Sequence, residues 1–392
     1  MINKAKEEGE FLPGFLTAIL TLLKKEGATE GSMKSFRPLS LMNLDYKILS
    51  KTLCNRLMPI MNQIIHHNQT YCVPGRMIHD NIHLIRSIIE HQQRIRDPFG
   101  IISWDQEKAF DRVDHGYLMA ALRSFGFGNS FVKWIALLYK NSTFRIRFNG
   151  HLSSPINFRS GVRQGCALSA ALFIIALEPL LHRIRTNELI SGIESPGARY
   201  QAVQQIIDPN KLLKDGNFKI KVLGYADDLN TIVKDRNEEL ETIKMLDLFN
   251  KSSGGKTNTN KTEILWVSDW LPPPSFRSEV RTDWCTFLGV PLDTFGCIPR
   301  VKLKEILTSI KQIIAMWSSH DLSFTERCTV LKTFILSKIM YVINFIRLSN
   351  STLINLQKTF NNFFWKNKRP SIAFKTIVGK KCDGGIGLVL NH

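Results

Sequence analysis

The segment Lys221-Val-Leu-Gly-Tyr-Ala-Asp-Asp-Leu-Asn-Thr-Ile-Val-Lys-Asp235 sets two short apolar runs on either side of a doubly acidic centre. That pattern reads as a β-hairpin with Asp227 and Asp228 at its tip. Adjacent carboxylates are costly to bury unless a cation or a hydrogen-bond donor accompanies them. A solvated surface turn would carry them freely. The pair alone therefore does not separate a site from a loop, and the rest of the chain has to decide.

A chain of 392 residues is long enough for two or three compact subregions and a sizeable core. Its 44% hydrophobic and 22% charged residues are the proportions of a folded soluble protein rather than a disordered one. Lys and Arg number 52 against 34 Asp and Glu, a formal charge of +18. Such a balance points to a polyanionic partner, either nucleic acid or an acidic membrane surface. The excess is concentrated late: residues 300–392 hold 15 Lys and Arg against 4 Asp and Glu. The seven cysteines are scattered without a Cys-x-x-Cys pair, so reduced thiols are expected rather than a disulfide framework or a zinc site. His79 and His83 have metal-like spacing but no third such ligand nearby, and read as ordinary residues of a helix face. The first residues carry no signal peptide pattern, and the longest apolar run, Ala170–Leu177, stops at Glu178, too short to span a bilayer. The expectation is an intracellular chain, cytoplasmic or nuclear, with no membrane partner.

Upstream of the hairpin, Phe11–Leu23 is apolar, a strand or helix running into the turn at Lys24-Lys25-Glu26-Gly27. Asn43–Gln63 and Met77–Ile95 have helical spacing. Phe99–Trp104 reads as a buried strand that delivers Asp105 at its end. Phe144, Ile146 and Phe148 alternate with Arg145 and Arg147; Asn149-Gly150 signals a hairpin, and Ile156 and Phe158 return with Arg159. An apolar helix is expected over Ala167–Ile184, and Glu194–Gly216 loses all pattern and reads as an inserted connection. Glu238–Asn250 should be helical, with strands at Ile264–Val267 and Trp284–Val290. From Pro299 onward only helices are expected, Leu303–Met316, Phe324–Ile346 and Thr352–Trp365.

Asp105 at a strand end and Asp227 and Asp228 on a hairpin can meet if their strands lie side by side in one sheet. Three clustered carboxylates repel and partly protonate unless a cation joins them. Two Mg²⁺ ions roughly 4 Å apart would satisfy such a site and serve phosphoryl transfer. On these grounds alone that is one arrangement among several.

Four ordered segments narrow the choice. Asp105-Gln-Glu-Lys-Ala-Phe-Asp-Arg-Val113, Gly161-Val-Arg-Gln-Gly-Cys-Ala-Leu-Ser169, Tyr225-Ala-Asp-Asp228 and Phe287-Leu-Gly-Val290 resemble the consecutive palm motifs of reverse transcriptases, in particular the non-LTR retrotransposon (LINE-type) branch. Phe36-Arg-Pro-Leu-Ser-Leu41, Asp45–Lys51, Gln69–Arg76 and Asp80-Asn-Ile82 resemble the fingers of that branch. The resemblance runs from about residue 10 to the C-terminus. It implies a right-hand polymerase of mixed α/β (α+β) class: fingers over 1–98, an antiparallel palm sheet within 99–298, and an all-helical basic thumb over 299–392.

The resemblance also implies roles. Asp105, Asp227 and Asp228 would hold two Mg²⁺ ions, with Mn²⁺ as an alternative, Asp228 being the less demanding ligand. Phe110 matches the steric gate that favours dNTPs over rNTPs; outside this motif it would be a core aromatic. Lys25 and Arg37 match the basic pair on the triphosphate, although Lys24 can replace Lys25 in the match. Gln164 and Gly165 match the segment against the nascent base pair, where glycine permits close backbone approach. Lys261 matches the lysine that protonates the leaving pyrophosphate, and a solvated lysine is the plain alternative. Phe287, Leu288 and Gly289 match the primer grip, against a plain core strand. The basic helices after Pro299 would follow the template–primer backbone.

Two departures stand out. Ala167-Leu-Ser-Ala170 replaces the family's Pro-Leu-Ser-Pro, and Gly254-Gly-Lys-Thr-Asn-Thr-Asn260 is more polar than the usual version. Met1 falls inside the expected fingers, so an endonuclease activity is expected from a missing N-terminal region or from another protein. The implied function is an RNA-directed DNA polymerase that extends a DNA primer with dNTPs on an RNA template. The alternatives are a truncated, catalytically silent nucleic-acid-binding remnant and an RNA-directed RNA polymerase. Phe110 argues against the last, although Asp111 superficially resembles the ribose-reading acid of those enzymes.

Overall fold

An apolar run such as Phe99–Trp104 suits a strand covered on both faces, and the sheet around it positions the carboxylates. The computed structural model of the protein describes residues 2–24, 35–194, 219–269, 272, 276–345, 348–366, 368–370, 372 and 379. Most of the expected connection Glu194–Gly216 lies outside these residues. The chain divides into two compact units, Met1–Leu288 and Gly289–His392.

In the first unit the strands run in order as β1 (Thr17–Lys24), β2 (Phe36–Leu41), β3 (Phe99–Trp104), β4 (Thr143–Phe148), β5 (His151–Leu152) and β6 (Ile156–Asn157). They continue as β7 (Ile193–Glu194), β8 (Lys219–Ile220), β9 (Val222–Tyr225), β10 (Asp228–Val233), β11 (Glu263–Val267), β12 (Glu279–Arg281) and β13 (Trp284–Phe287). One sheet has the order β12-β11-β3-β10-β9 with β3 at its centre. β3 pairs antiparallel with β10 from Leu229↔Trp104 to Val233↔Gly100, and with β11 from Glu263↔Ser103 to Val267↔Phe99. Five of the six residues of β3 are buried, as are Leu229–Val233 of β10. Burying side chains such as Ile102 and Leu229 stabilises the fold by about 1.5–3 kcal/mol each.

The helix Ser169–Thr186 supplies much of the core beneath this sheet. Twelve of its residues are buried, the mark of an interior helix rather than a surface one. It shares one apolar cluster with Ile102, Trp104, Val222, Leu229, Val233 and Ile264. The helix Ile78–Ile95 packs on β9 and β11, and Arg236–Ser253 packs on β10. Arg236–Ser253 is capped by the Asp235 carboxylate at its start and by Gly254 in the left-handed region at its end.

The second sheet has the order β2-β1-β4-β5, with β6 also on β4. Phe11–Leu23, open between strand and helix in the sequence, resolves as β1. It runs parallel to β4, pairing Thr17 with Thr143 and Leu20 with Ile146. The Asn149-Gly150 turn forms as its residue types demand: φ is +45° and +83°, and Phe148 pairs with His151. Arg163, almost fully buried, ties this sheet to the core, its guanidinium donating to the Leu16 carbonyl at 2.6 Å and lying 5.3 Å from the ring centres of Tyr46 and Phe158.

The expected strand Trp284–Val290 is interrupted. Leu288 and Gly289 adopt φ of +50° and +81°, which ends β13 at Phe287, and the next strand, β14 (Val290–Asp293), opens the second unit. The second unit then runs as the helices Arg300–Ser318, Phe324–Val330, Ser337–Ile343 and Asn350–Phe364, with a π-helical segment at Leu331–Leu336 inside the expected long helix. Ile310, Leu331, Ile335, Ile339, Phe360 and Phe363 belong to its separate core.

One glycine sets a tight join. Gly161 has φ +89°, and a Cβ there would lie 2.6–2.7 Å from the main chain of Asp111. Its N–H donates to the Val113 carbonyl at 2.8 Å, and the next N–H, of Val162, donates to Phe110 at 2.7 Å. Gly161→Ala combines backbone strain with a collision against main chain, and should cost at least about 2 kcal/mol. The urea midpoint of unfolding reads this loss; an unchanged midpoint would mean that the join gives way easily.

Candidate active site

The two acidic segments of the sequence meet because β3 and β10 are neighbours. The last ladder pair is Leu229↔Trp104. One step further along stand Asp228 and Asp105, on adjacent strand ends with Cα atoms about 5 Å apart by sheet geometry. Asp227 lies on the two-residue turn between β9 and β10, which the Tyr225↔Asp228 pair closes. The fold thus gathers the three carboxylates at one end of one sheet.

The turn is held from outside the hairpin. Ala226 has φ +55°, costly for a residue with a Cβ, and its N–H donates to Oε1 of the fully buried Gln69 at 3.3 Å. Gly224 exchanges main-chain bonds with this segment: its N–H donates to Asn68 and its carbonyl accepts from Thr70 N–H and Asn81 Nδ2, at 2.8–3.1 Å. Tyr71 packs edge-on against Tyr225 at 5.1 Å.

Asp105 is held by a different loop. The Asn258 N–H donates to the Asp105 carbonyl at 2.8 Å, and Asn258 Nδ2 donates to Asp105 Oδ2 at 3.0 Å. Just beyond, Glu107 N–H donates to the Lys256 carbonyl at 2.8 Å, and the two side chains form an ion pair at 2.9 Å. The sequence showed Gly254–Asn260 only as a stretch more polar than expected. Its polarity goes into this clamp.

The electrostatics carry the mark of burial first and of crowded like charges second. Burial raises the Asp227 carboxyl above its ordinary value, the charge of Asp105 adds to this, and a main-chain hydrogen bond and Arg37 oppose it. Asp228 is pushed up to about 6, by loss of hydration first and then by Asp227 and Asp105. Among the described residues no group of three or more His, Cys, Asp or Glu side chains is closed around a metal-sized gap. The donors nevertheless suit a hard divalent cation, since all are carboxylate oxygens and an added positive charge would offset the burial and repulsion that together raise Asp227 and Asp228.

The other expected residues are placed as follows. Phe110 is half-buried, its ring stacked on Phe173 at 4.3 Å with 16° between the planes. Gln164 donates through Nε2 to Asp111 at 3.1 Å, and its carbonyl accepts from Ser40 N–H of β2 at 3.0 Å. Gly165 has φ +104°, and a Cβ there would sit 2.9 Å from the Ser40 carbonyl. Pro38, Ser40, Phe144, Arg163 and Gln164 help to line an open cavity of about 390 Å³. Arg37 is exposed on β2, opposite Leu23 and close enough to act on the Asp227 charge. Lys25 lies outside the described residues. Lys261 is exposed at the end of the loop that carries Asn258. Phe287 is buried, Leu288 partly so, and Gly289 exposed.

The family model described as reverse transcriptase (RNA-dependent DNA polymerase) matches residues 23–292. Across 99% of its length the chain is 29% identical to the transposon TX1 uncharacterized 149 kDa protein of Xenopus laevis, of which it covers 28%. Across 63% it is 27% identical to a retrovirus-related Pol polyprotein from the type-1 retrotransposable element R2 of Popillia japonica, of which it covers 32%. The chain therefore spans less than a third of either relative. Among solved structures, telomerase from Candida tropicalis in complex with a fragment of telomeric RNA aligns over 92% of this chain and 56% of that one, at 13% identity and a TM-score of 0.49.

The raised Asp228 gives a pH test. A carboxyl whose value rises on folding favours the fold in its protonated form; that contribution is complete below the ordinary carboxylate range and is lost as pH climbs through about 6. In metal-free buffer at pH 7–8, Asp228→Asn should therefore be more stable than the parent, by about 1 kcal/mol after solvent screening. Thermal melts should show a gain of about 2–4 °C that vanishes near pH 4. A loss at neutral pH would show that the ionised group is favourably held.

Proposed function

The chain belongs to the reverse transcriptase (RNA-dependent DNA polymerase) family, and from that premise we propose that it extends a DNA primer with dNTPs on an RNA template, as the polymerase of a non-LTR retrotransposon. The observation that carries this reading is the meeting of Asp105 and Asp228 at the ends of β3 and β10, with Asp227 on the turn beside them.

Asp105, Asp227 and Asp228 would hold the divalent cations, Mg²⁺ or Mn²⁺. The chemistry supplied when such a pair is bound is activation of the attacking primer hydroxyl and neutralisation of charge on the leaving pyrophosphate. The remaining work falls to the chain's own groups. Arg37, whose charge lowers Asp227, would grip a triphosphate beside that carboxylate, with Lys25 as the second cation. Phe110, backed by Phe173, presents a ring that cannot retreat easily, which suits exclusion of a ribose 2′-hydroxyl. Gln164 is held by Asp111 and Ser40, and with Gly165 it offers a fixed surface for the nascent base pair. The adjoining cavity has room for a templating base. Lys261 is the candidate proton donor to pyrophosphate, and Phe287, Leu288 and Gly289 are the candidate primer grip. The basic helices after Pro299 supply phosphate contacts to template and primer. Cutting the strand that provides the primer is assigned to another part of a longer protein or to a second protein. The compartment is one where RNA and dNTPs meet, cytoplasmic or nuclear; no helix among the described residues is long and apolar enough to cross a membrane.

Primer extension on RNA with dNTPs and Mg²⁺, with RNA binding measured on the same preparation, tests the reading. Asp105→Asn and Asp227→Asn should each lower extension by about 10³-fold or more while leaving RNA binding intact. Binding without extension by the parent chain would instead favour a catalytically silent remnant. Phe110→Ala should relax the preference for dNTPs over rNTPs at least about tenfold. An unchanged ratio would remove Phe110 from sugar selection.

A further inference from the structure

We infer that Asn258 is a positioning residue for the carboxylate cluster: its side-chain amide fixes the rotation of the Asp105 carboxylate, committing one oxygen to the protein and leaving the other for a cation. The inference rests on the reading of Asp105 as a cation ligand.

Two bonds join Asn258 to the same residue, from its N–H to the Asp105 carbonyl at 2.8 Å and from Nδ2 to Oδ2 at 3.0 Å. Only the second depends on the side chain. The loop has anchors enough without it. Glu107 N–H donates to the Lys256 carbonyl, Glu107 pairs with Lys256 at 2.9 Å, Asn250 Nδ2 donates to Thr257 Oγ1 at 3.0 Å, and Gly254 N–H donates to the Asn250 carbonyl at 3.0 Å. Gln106 also forms a bridge with Thr257. The amide of Asn258 is therefore not needed to place the loop. What it changes is Asp105.

An Asp carboxylate rotates over a broad, nearly two-fold profile about its last torsion. Beside Asp227 and Asp228 its oxygens are pushed away from the neighbouring charges. A neutral amide donor on Oδ2 opposes that push without adding charge, which neither a lysine nor a carboxylate at 258 would do. Groups that orient a ligand in this way typically govern 10–100-fold of metal affinity or activity.

The test is Asn258→Ala in the full chain, which deletes the side-chain bond and keeps the main-chain bond. Mn²⁺ affinity, measured by electron paramagnetic resonance without nucleotide or nucleic acid, should weaken about 10–100-fold. The metal-free melting temperature should fall by no more than about 4 °C, the worth of one hydrogen bond. In primer extension the Mg²⁺ concentration for half-maximal rate should rise, with most of kcat recovered at saturating metal. Unchanged Mn²⁺ affinity overturns the inference, and a larger stability loss with normal affinity would make Asn258 a loop tie only. A parent chain that binds no Mn²⁺ also overturns it. If the parent binds Mn²⁺ and Asn258→Ala weakens it, yet the parent extends no primer, the positioning role stands and the polymerase reading falls.

Discussion

Mutual repulsion among three carboxylates is the constraint around which the first unit is built. Asp105, Asp227 and Asp228 would each be better hydrated apart; burial first, and the neighbouring charges after it, push Asp227 and Asp228 upward. The free energy that offsets this comes from elsewhere. β3 and β10 are among the most buried strands of the chain, their side chains packed into the cluster that includes the helix Ser169–Thr186. Because the register between them is fixed by apolar side chains on both strands, a slip of one residue would turn the buried set outward. The hydrophobic core thus sets the spacing of charges that would otherwise separate.

Register alone does not orient a side chain, and two amide-bearing segments finish the task. The Asn68–Thr70 segment pairs along β9, with Asn81 adding a donor to Gly224, so the outer edge of the sheet is covered where the acidic turn begins. Gln69 then reaches the left-handed Ala226. On the other side of β10, the loop around Asn258 runs along Asp105–Glu107. Neutral amides are suited to this: Asn81 and Asn258 donate and Gln69 accepts, none of them compensating the negative charge.

Much of this was legible because it is local. Strand β3, the acidic hairpin, the Asn149-Gly150 turn and the interior helix all follow from periodicity and turn chemistry over a few residues. What escaped depends on contacts across long separations. Nothing in Thr17–Lys24 shows that it pairs with residues 143–146, and that pairing decided between strand and helix. The break at Leu288-Gly289 was hidden because Leu288 is an unusual residue to carry positive φ. Asn258 looked like loop polarity, since its partner lies 153 residues earlier. Arg163 sat in a recognised motif with no role, and only the structure shows it joining the second sheet to the core.

The distribution of ion pairs extends the argument from geometry to chemistry. Several other acids of the first unit have partners within the protein itself. Glu107 pairs with Lys256, Asp97 with Lys234, Glu263 with Arg281, and the buried Glu178 with Arg185. Glu239, fully buried, accepts from the N–H groups of Arg277 and Ser278 and from the Ser278 hydroxyl. Among the described residues, none of Asp105, Asp227 and Asp228 is in an ion pair with a lysine or arginine, in a chain with an excess of 18 positive charges. A protein that needed only to stabilise these carboxylates could have spared one of its 52 Lys and Arg for them. An internal cation would instead occupy the oxygens and lower the site's appetite for a mobile one. A cluster left negative within a positive protein would draw small cations to its oxygens, while the surrounding positive charge favours polyanions.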